Sequence, residues 1–312
     1  MAESAKGSSR REFLKTTSQI AAVTALGTSA IPAVHAAEDH TIQIALVGCG
    51  GRGGGAAANA MSVKRTPIKL VAMADVFPER LRGCYDSLKQ RFANQVDVPE
   101  DRKFVGFDAY RKAMDCLRPG DIAIFATPPA FRWVHFTYAI EKNLNVFMEK
   151  PITVDGPTSR RMFDLAKKSV EKNLKVGVGL MSRHSRALQE LAKRLQDGAI
   201  GDVIFERGYR MHGPVGFFAS TPKPEGISEL LYQVQRFHSF IWASGGSYSD
   251  FYIHIIDHLA WMKNDWPIKA MSLGGRHYKV SPEGVPYIDQ NFDVYAVEYT
   301  YADGSKFCFD GR

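Results

Sequence analysis

The sequence predicts an α/β protein with two domains, and three observations lead to this prediction. Short apolar runs rich in β-branched residues alternate with helix-forming segments through the first half of the chain. A glycine-rich turn follows the first of these runs without a spacer. The chain of 312 residues exceeds one small domain, and its last part contains segments typical of antiparallel strands, with Asp303-Gly304 as a hairpin turn.

The first apolar run, Ile42–Val47, leads directly into Gly48-x-Gly50-x-x-Gly53, and the alanine-rich segment after Gly55 favours a helix. Free amide groups at the start of that helix would face a bound pyrophosphate. In this arrangement Gly48 allows a tight turn, Gly50 the close approach of phosphate, and Gly53 the packing of helix on strand. The predicted cofactor contacts in the turn are Gly48, Gly50, Gly51, Arg52 and Gly53.

The second apolar run, residues 68–74, ends at Asp75. This is about the distance at which a dinucleotide-binding domain presents a carboxylate to the adenosine ribose. A solvated turn residue before Pro78 is the alternative. We expect Asp75 to favour NAD and to repel the 2′-phosphate of NADP, although Arg80 and Arg82 lie close enough in the sequence to soften this preference.

The chain begins with a segment that resembles a twin-arginine export signal. Arg10-Arg11 precede Phe13-Leu14, an uncharged stretch follows at residues 16–34, and small residues lie near 34–36. A disordered basic tail is the alternative. We expect residues 1–36 to be removed, leaving no stable membrane span, and the folded protein to reach the periplasm or cell surface through the twin-arginine machinery.

Charge and cysteine content exclude some functions. Residues 1–36 hold four basic and two acidic side chains, so their removal lowers the formal charge from +7 to +5. This modest excess, without a basic run, does not indicate nucleic-acid binding. The four cysteines form no C-x-x-C pair and no metal-ligand spacing, and we interpret them as unpaired packing residues.

Two further predicted strands, residues 121–126 and 145–148, end at Thr127-Pro128 and at Glu149-Lys150-Pro151. Ligands of open parallel sheets lie at the carboxyl ends of strands, so Thr127, Pro128, Glu149 and Lys150 are predicted cofactor contacts. A lysine at this edge could also polarise a substrate oxygen as negative charge develops on it. For an isolated lysine, an exposed residue at the end of a strand would be the ordinary interpretation.

Two carboxylates and two imidazoles fall between Asp250 and His258. On a helix, Asp250, His254, Asp257 and His258 would lie along one face. A metal site is disfavoured because the glutamate base of a metalloprotease helix is missing. The acid–base alternative makes His254 the acceptor of a hydroxyl proton, with Asp250 holding a neighbouring hydroxyl. Arg183, which follows a predicted strand at residues 174–180, is a further candidate for substrate binding, with a solvated loop as the alternative.

Together these motifs resemble the glucose–fructose oxidoreductase/inositol dehydrogenase (Gfo/Idh/MocA) family. The resemblance rests on the glycine turn, Ala126-Thr127-Pro128, Glu149-Lys150-Pro151 and Gly245-Gly246-x-x-x-Asp250-x-x-x-His254-x-x-Asp257. It implies a Rossmann domain at residues 40–152 and an α/β domain at 153–312 with a large open, mostly antiparallel sheet. It also implies oxidation or reduction of a sugar, cyclitol or related polyol with NAD or NADP, with Lys150 at the reactive centre.

Comparison with the family leads us to expect more sheet after Arg312, and a homo-oligomer formed through the sheet of the second domain. Two alternatives to the dehydrogenase remain. One is an NAD-dependent glycosidase that oxidises, eliminates and rereduces, although the relatives of that kind depart from the Glu-Lys-Pro motif that this chain keeps. The other is a non-catalytic binding protein with a nucleotide fold, which the retention of Lys150 and His254 disfavours.

Overall fold

The computed structural model describes residues 40–213, 216 and 218–312. The predicted export signal at residues 1–36 lies outside the described residues. Within the part that is described, no helix is both long enough and apolar enough to cross a membrane.

Six parallel strands form the first sheet, in the order β3-β2-β1-β4-β5-β6. The four central strands are largely buried, as the β-branched and alanine-rich runs predict, whereas the edge strands β3 and β6 are partly exposed. The strands are β1 (Ile42–Val47), β2 (Ile68–Asp75), β3 (Lys103–Val105), β4 (Ile122–Phe125), β5 (Asn145–Met148) and β6 (Val176–Val178).

Helices cover both faces of this sheet, because alternate residues of the strands point to opposite sides. Ala45 and Val47 of β1 belong to one core cluster, and Ile44 and Leu46 belong to the other. The helices are α1 (Gly51–Met61), α2 (Pro78–Arg91), α3 (Ala109–Asp115), α4 (Arg132–Glu141) and α5 (Gly156–Glu171). The strand order reverses between β1 and β4, so a crevice opens at the carboxyl ends of these two strands.

The first sheet extends beyond the domain boundary predicted at 152/153. Helix α5, which begins with a capping box at Asp155, leads to β6, and β6 pairs in parallel with β5. Helix α5 and strand β6, which the prediction assigns to the second domain, therefore belong to the first domain, and the first sheet ends at Val178. The Pro151 after Lys150 ends a strand, but the crossover helix that follows returns the chain to the same sheet, as parallel strands require.

The second sheet has four strands among the described residues, in the order β7-β10-β9-β8. Pairs β10–β9 and β8–β9 are antiparallel and β10–β7 is parallel, so the predicted mostly antiparallel sheet is confirmed. Its strands are β7 (Phe205–Arg210), β8 (Lys269–Gly275), β9 (Val294–Thr300) and β10 (Lys306–Gly311), and the helices of this part are α6 (Arg186–Gln196), α7 (Glu229–Gln235), α8 (Ile241–Ser244) and α9 (Ile253–Lys263).

Helix α9 packs one face against the second sheet and thereby fixes the direction of the residues just before it. Ile255 and Leu259 lie directly over Gly208 of β7, where an added Cβ would come within 2.5 Å and 2.9 Å of their side chains. A π-helical turn, Tyr248–Tyr252, directly precedes α9 in the chain. That turn carries Asp250 to the crevice of the first sheet.

Candidate active site

A cavity of about 1020 Å³ occupies the crevice at the carboxyl ends of the first sheet. The first turn of the second domain's helix α9 and the π-helical turn before it close the far side of this cavity. It is large enough for a dinucleotide and brings together motifs that are far apart in the sequence. Every predicted site residue except Arg183 lines it: Gly48, Gly50, Gly51, Arg52, Gly53, Asp75, Thr127, Pro128, Glu149, Lys150, Asp250 and His254.

The glycine turn at one end of the cavity is shorter than predicted. Helix α1 begins at Gly51 rather than after Gly55, with Gly50 as its N-cap residue and no side chain capping its amide groups. A Cβ added at Gly50 or Gly51 would meet nothing within 4 Å. The first amides of the helix are therefore open to the cavity, which is the arrangement that a phosphate needs.

Two other glycines of the turn are required by close packing. Gly48 has φ +95, and an added Cβ would lie 2.7 Å from the backbone of Ala126. A Cβ at Gly53 would lie only 1.9 Å from the carbonyl oxygen of Gly48. The structure thus gives Gly48, Gly50 and Gly53 the geometry of a tight turn, an open approach and a helix–strand contact, in agreement with the sequence pattern.

Asp75 lies at the carboxyl end of β2 and faces the same turn. One carboxylate oxygen accepts a hydrogen bond of 2.6 Å from the amide of Cys49, and the other accepts one of 2.9 Å from the amide of Phe77. Burial raises the pKa of Asp75 above its ordinary value, and the two amides and the charge of Arg80 partly offset this rise. Each oxygen keeps a lone pair with which it can accept a further hydrogen bond from a ribose hydroxyl.

A fully buried arginine supports the carboxyl end of β4. Arg132 donates hydrogen bonds of 2.6 Å to the carbonyl of Phe125 and 2.9 Å to the carbonyl of Thr127. Burial lowers the pKa of Arg132 to about 10, although the charges of Glu149 and Asp250 act in the opposite direction. The hydroxyl of Thr127 is also 3.2 Å from Nδ1 of the buried His135. These contacts hold the Thr127-Pro128 edge of the cavity in place.

Glu149 and Arg52 form an ion pair across the mouth of the cavity. Nη2 of Arg52 lies 2.7 Å from Oε1 of the buried Glu149. A Cβ at Gly179 would come within 2.6 Å of the same carboxylate, so the backbone of residue 179 packs directly on it. Glu149 therefore holds Arg52, near the start of α1, beside the carboxyl end of β5.

Lys150 connects the first domain to the π-helical turn of the second. The bond between Lys150 and Pro151 is cis. The ammonium of Lys150 donates a hydrogen bond of 2.5 Å to the carbonyl of Asp250 and lies 3.4 Å from its carboxylate oxygen Oδ1. It also lies 5.4 Å from the ring centroid of Phe251. Asp250 thus holds the ammonium of Lys150 while the lysine side chain faces the cavity.

Asp250 is buried, and both of its carboxylate oxygens have a partner. Oδ1 faces Lys150, and Oδ2 lies 3.1 Å from Nε2 of His238. Burial alone would raise the pKa of Asp250, but the hydrogen bond from His238 and the charge of Lys150 outweigh it and lower the pKa. The carboxylate is therefore ionised near neutral pH and serves Lys150 and His238.

His254 lies one turn beyond Asp250 and faces the cavity. Its pKa is lowered to about 4, first by burial and then by the positive charges of Lys150 and Arg210. This pKa lies well below the near-neutral range of an ordinary histidine. The imidazole is neutral at neutral pH and can accept a proton, but its conjugate acid is stronger than an ordinary imidazolium.

Arg183, which the sequence offers as a candidate for substrate binding, is not among the residues that line the cavity. Its guanidinium forms a two-point ion pair with Asp257, with distances of 3.0 Å from Nε to Oδ2 and 2.8 Å from Nη2 to Oδ1, and it lies over the ring of Trp261. Asp257 and His258 are also absent from the lining, so the predicted stripe of four polar residues divides after His254. Among the described residues, no group of three or more potential ligands is placed to hold a metal ion.

Among the residues that line the cavity, Arg132, His135 and His238 carry polar side chains that the sequence analysis did not indicate. Each is surrounded by aromatic residues or prolines in the sequence, where no period or motif indicates a polar function. Arg132 and His135 lie three apart on helix α4, and a search for polar residues on the buried face of that helix could have found them. The sequence around His238 contains no comparable signal.

Residues 42–180 match a family profile described as GFO_IDH_MocA, oxidoreductase family, NAD-binding Rossmann fold. The matched residues span the first sheet from β1 to β6. Inositol 2-dehydrogenase of Corynebacterium glutamicum (strain R) is 27% identical to the chain over 113 residues, which are 36% of this chain and 33% of the relative. The match thus spans about a third of the length of this relative.

Solved structures share the fold over most of the chain. Myo-inositol 2-dehydrogenase from Lactobacillus plantarum has a TM-score of 0.64 at 21% identity, covering 87% of this chain and 69% of that one. Scyllo-inositol dehydrogenase from Lactobacillus casei with bound NAD(H) and scyllo-inositol has a TM-score of 0.61 at 23% identity, covering 87% and 70%. Aldose-aldose oxidoreductase from Caulobacter crescentus has a TM-score of 0.63 at 14% identity, covering 87% and 70%. Each of these structures covers 87% of this chain, so the shared fold extends into the second domain.

Proposed function

We propose that the protein is an NAD-dependent oxidoreductase that acts on a CH–OH group of a sugar, cyclitol or related polyol. The observation that carries this proposal is the meeting of Lys150 and His254 in the cavity that the glycine turn also lines. A cation and a neutral base lie beside the place where a dinucleotide would end. The similarity to inositol dehydrogenases supports a ring-shaped polyol as the substrate class.

The residues of the turn fit the cofactor. The open amides at Gly50 and Gly51 would hold the pyrophosphate, and Asp75 would accept hydrogen bonds from the adenosine ribose. Thr127 and Pro128 would border the nicotinamide half, with Glu149 holding Arg52 and the turn in position. When bound, NAD supplies the acceptor for the hydride that leaves the carbinol carbon.

Lys150 and His254 divide the work at the substrate hydroxyl. His254 is neutral at neutral pH and accepts the hydroxyl proton. The ammonium of Lys150 stabilises the negative charge that develops on the same oxygen. The positive charge of Lys150 lowers the pKa of His254 and so makes the imidazole a weaker base. A developing oxyanion between the two side chains offsets that charge, and transfer of the proton to His254 then becomes favourable.

Asp250 takes a different role from the one that the sequence predicts. Its carboxylate faces Lys150 and His238, and its carbonyl accepts the hydrogen bond from Lys150. We assign it to holding the lysine rather than to binding a neighbouring hydroxyl of the substrate. Asp250→Ala would then reduce turnover through Lys150 more than it weakens substrate affinity.

The proposal is tested by purifying the protein, identifying any nucleotide that accompanies it, and following the absorbance of reduced nicotinamide with a panel of sugars and cyclitols. Accumulation of NADH with a free polyol supports a dehydrogenase. Release of sugar from an aryl glycoside without net NADH would instead favour the glycosidase alternative, for which the comparisons give no specific support. NAD binding without turnover of any substrate would favour a non-catalytic binding protein.

Two further proposals concern location and assembly. The Arg10-Arg11 pair ahead of an uncharged stretch supports export of the folded protein, and Arg10→Lys with Arg11→Lys should keep it in the cytoplasm.

Exposed apolar side chains on β7 and β8, including Phe205, Met271 and Leu273, support a homo-oligomer formed through the second sheet. Sedimentation of the purified protein measures its oligomeric state.

A further inference from the structure

The carboxylate of Asp250 is divided between two cationic or hydrogen-bonding partners from different parts of the chain. Oδ1 lies 3.4 Å from the ammonium of Lys150, and Oδ2 lies 3.1 Å from Nε2 of His238. Side-chain exposure is 7% at Asp250 and 13% at His238, so water does not readily replace the imidazole. The orientation of the carboxylate toward Lys150 therefore depends on what holds its other oxygen.

Aromatic rings fix the position of His238 itself. Its ring centroid lies 3.9 Å from that of Phe237, 5.3 Å from that of Phe218 and 5.7 Å from that of Phe251. Phe237, Phe251 and His238 line the same cavity as Lys150 and His254. Packing thus holds the imidazole at the wall of the candidate site.

We propose that His238 is a positioning residue for the oxidation, which donates a hydrogen bond from Nε2 to Oδ2 of Asp250 and so keeps Oδ1 and the Asp250 carbonyl in place for Lys150. This inference rests on the proposed function for its effect on turnover. It assigns the imidazole the tautomer with a proton on Nε2. Without that donor, a buried carboxylate oxygen loses its partner and turns toward the nearest cation, Lys150. The ammonium is then drawn into a closer ion pair and away from the substrate oxygen.

The alternative to positioning is simple aromatic packing, and two substitutions separate them. His238→Phe keeps a ring among Phe218, Phe237 and Phe251 but removes the donor. His238→Gln places an amide N–H near the position of Nε2 and sacrifices the ring. Positioning predicts loss of function in the phenylalanine variant and rescue in the glutamine variant, whereas packing predicts the reverse order.

One readout does not require turnover. Trinitrobenzenesulfonate labels lysines in the resting protein, and peptide mass spectrometry gives the rate at Lys150, with the surface Lys142 as internal reference. We expect slower labelling of Lys150 in His238→Phe than in the parent, because of the closer ion pair with Asp250, and a parent-like rate in His238→Gln. Equal rates in all three proteins would overturn the inference, whatever the activity of the enzyme.

The second readout is steady-state kinetics on the polyol that the parent oxidises. Loss of a hydrogen bond to a charged group predicts that kcat falls by roughly tenfold to a hundredfold in His238→Phe, with NAD affinity and melting temperature near those of the parent. In an Asp250→Asn background, the same substitution should cause little further loss. A parent-like kcat in His238→Phe, or full loss of kcat in His238→Gln with an unchanged melting temperature, would contradict the inference. If the parent oxidises no polyol while the labelling rates differ as expected, only the proposed function fails.

Discussion

Lys150 acts on two neighbours at once: its ammonium donates to Asp250, and its charge is the second largest cause, after burial, of the low pKa of His254. Removing that charge in Lys150→Met should therefore raise the pKa of His254 from about 4 toward its ordinary value of 6.5. A histidine must be neutral to accept a proton, so any residual activity should then begin to fall at a higher pH as the solution is acidified.

This shift can be measured by NMR titration of labelled histidine, which needs no turnover. Lys142→Met, at a surface lysine that is paired with Asp115, is the matched control and should leave His254 unchanged. An unaltered His254 titration in Lys150→Met would show that the two side chains do not interact across the cavity.

Asp75 places a negative charge where a 2′-phosphate of NADP would lie. Two unit charges about 4 Å apart near a protein surface repel each other by on the order of 4 kcal/mol. We expect the parent to bind NAD at least about tenfold more tightly than NADP, and Asp75→Asn to narrow that difference. Fluorescence titration with both reduced cofactors measures it, and an NADP affinity equal to that for NAD in the parent would contradict the assignment.

The sequence indicates which residues meet at the site only where a strand end or a motif fixes the direction of a side chain. Lys150 follows a buried strand and is locked by Pro151, so its place at the crevice follows from the sheet. Arg183 also follows a strand, but Asp257 and Trp261 draw its guanidinium away from the cavity, and no local pattern records that choice. His238 reaches Asp250 only through the fold of the second domain.

At the scale of single elements, the glycine turn makes the sharpest steric demand. A Cβ at Gly53 would lie 1.9 Å from the carbonyl oxygen of Gly48, so α1 must shift away from β1. We expect Gly53→Ala to destabilise the fold by about 1–3 kcal/mol and to weaken NAD binding.

Gly55→Ala is the control on the same helix. Its Cβ would meet Arg52 at 3.6 Å, an ordinary contact, and alanine favours a helix over glycine by about 1 kcal/mol. This variant should keep NAD affinity and gain stability. Chemical denaturation and NADH fluorescence measure both, and a Gly53→Ala protein as stable as Gly55→Ala would refute the packing argument.

The sequence predicts most elements of the first sheet because their apolar runs are unbroken, but two local features escape it. Helix α1 begins at Gly51, inside a run of glycines, although glycine has a low helix propensity. Packing of the helix on β1 and β4 overrides that propensity. The π-helical turn at Tyr248–Tyr252 cannot be told from an α-helix by the spacing of its residues. It precedes α9, whose later residues Asp257 and His258 then lie outside the cavity lining.

At the scale of the whole molecule, a buried histidine makes stability depend on pH. His135 is 6% exposed, and burial, followed by the charge of Arg132, lowers its pKa to about 3 from an ordinary 6.5. Between these two values the unfolded chain binds a proton that the folded chain does not. Stability is therefore lost as the pH falls through this window, by about 1.4 kcal/mol per pH unit for this one group.

His135→Phe removes the group that binds this proton and should make stability depend less on pH. The difference in unfolding free energy between parent and variant should therefore change by about 1.4 kcal/mol per pH unit within this window. Asp75 and Glu206, whose pKa values burial raises, act in the opposite direction in both proteins and cancel in the comparison. The exposed His277 provides a control substitution. A difference that stays constant between pH 6 and 4, two values within this window, would contradict the account.

The proposed reaction is the oxidation of a polyol carbinol by NAD, with His254 accepting the hydroxyl proton and Lys150 stabilising the developing oxyanion. Its most direct measurement is NADH formation on a panel of cyclitols and sugars by the parent, Lys150→Met, His254→Asn and the control Lys142→Met. Turnover is expected in the parent and in the control. A loss of roughly a hundredfold to ten-thousandfold is expected in Lys150→Met and His254→Asn, with NAD affinity kept. Near-parent turnover in His254→Asn, or no NADH from any polyol with the NAD-bound parent, would contradict it.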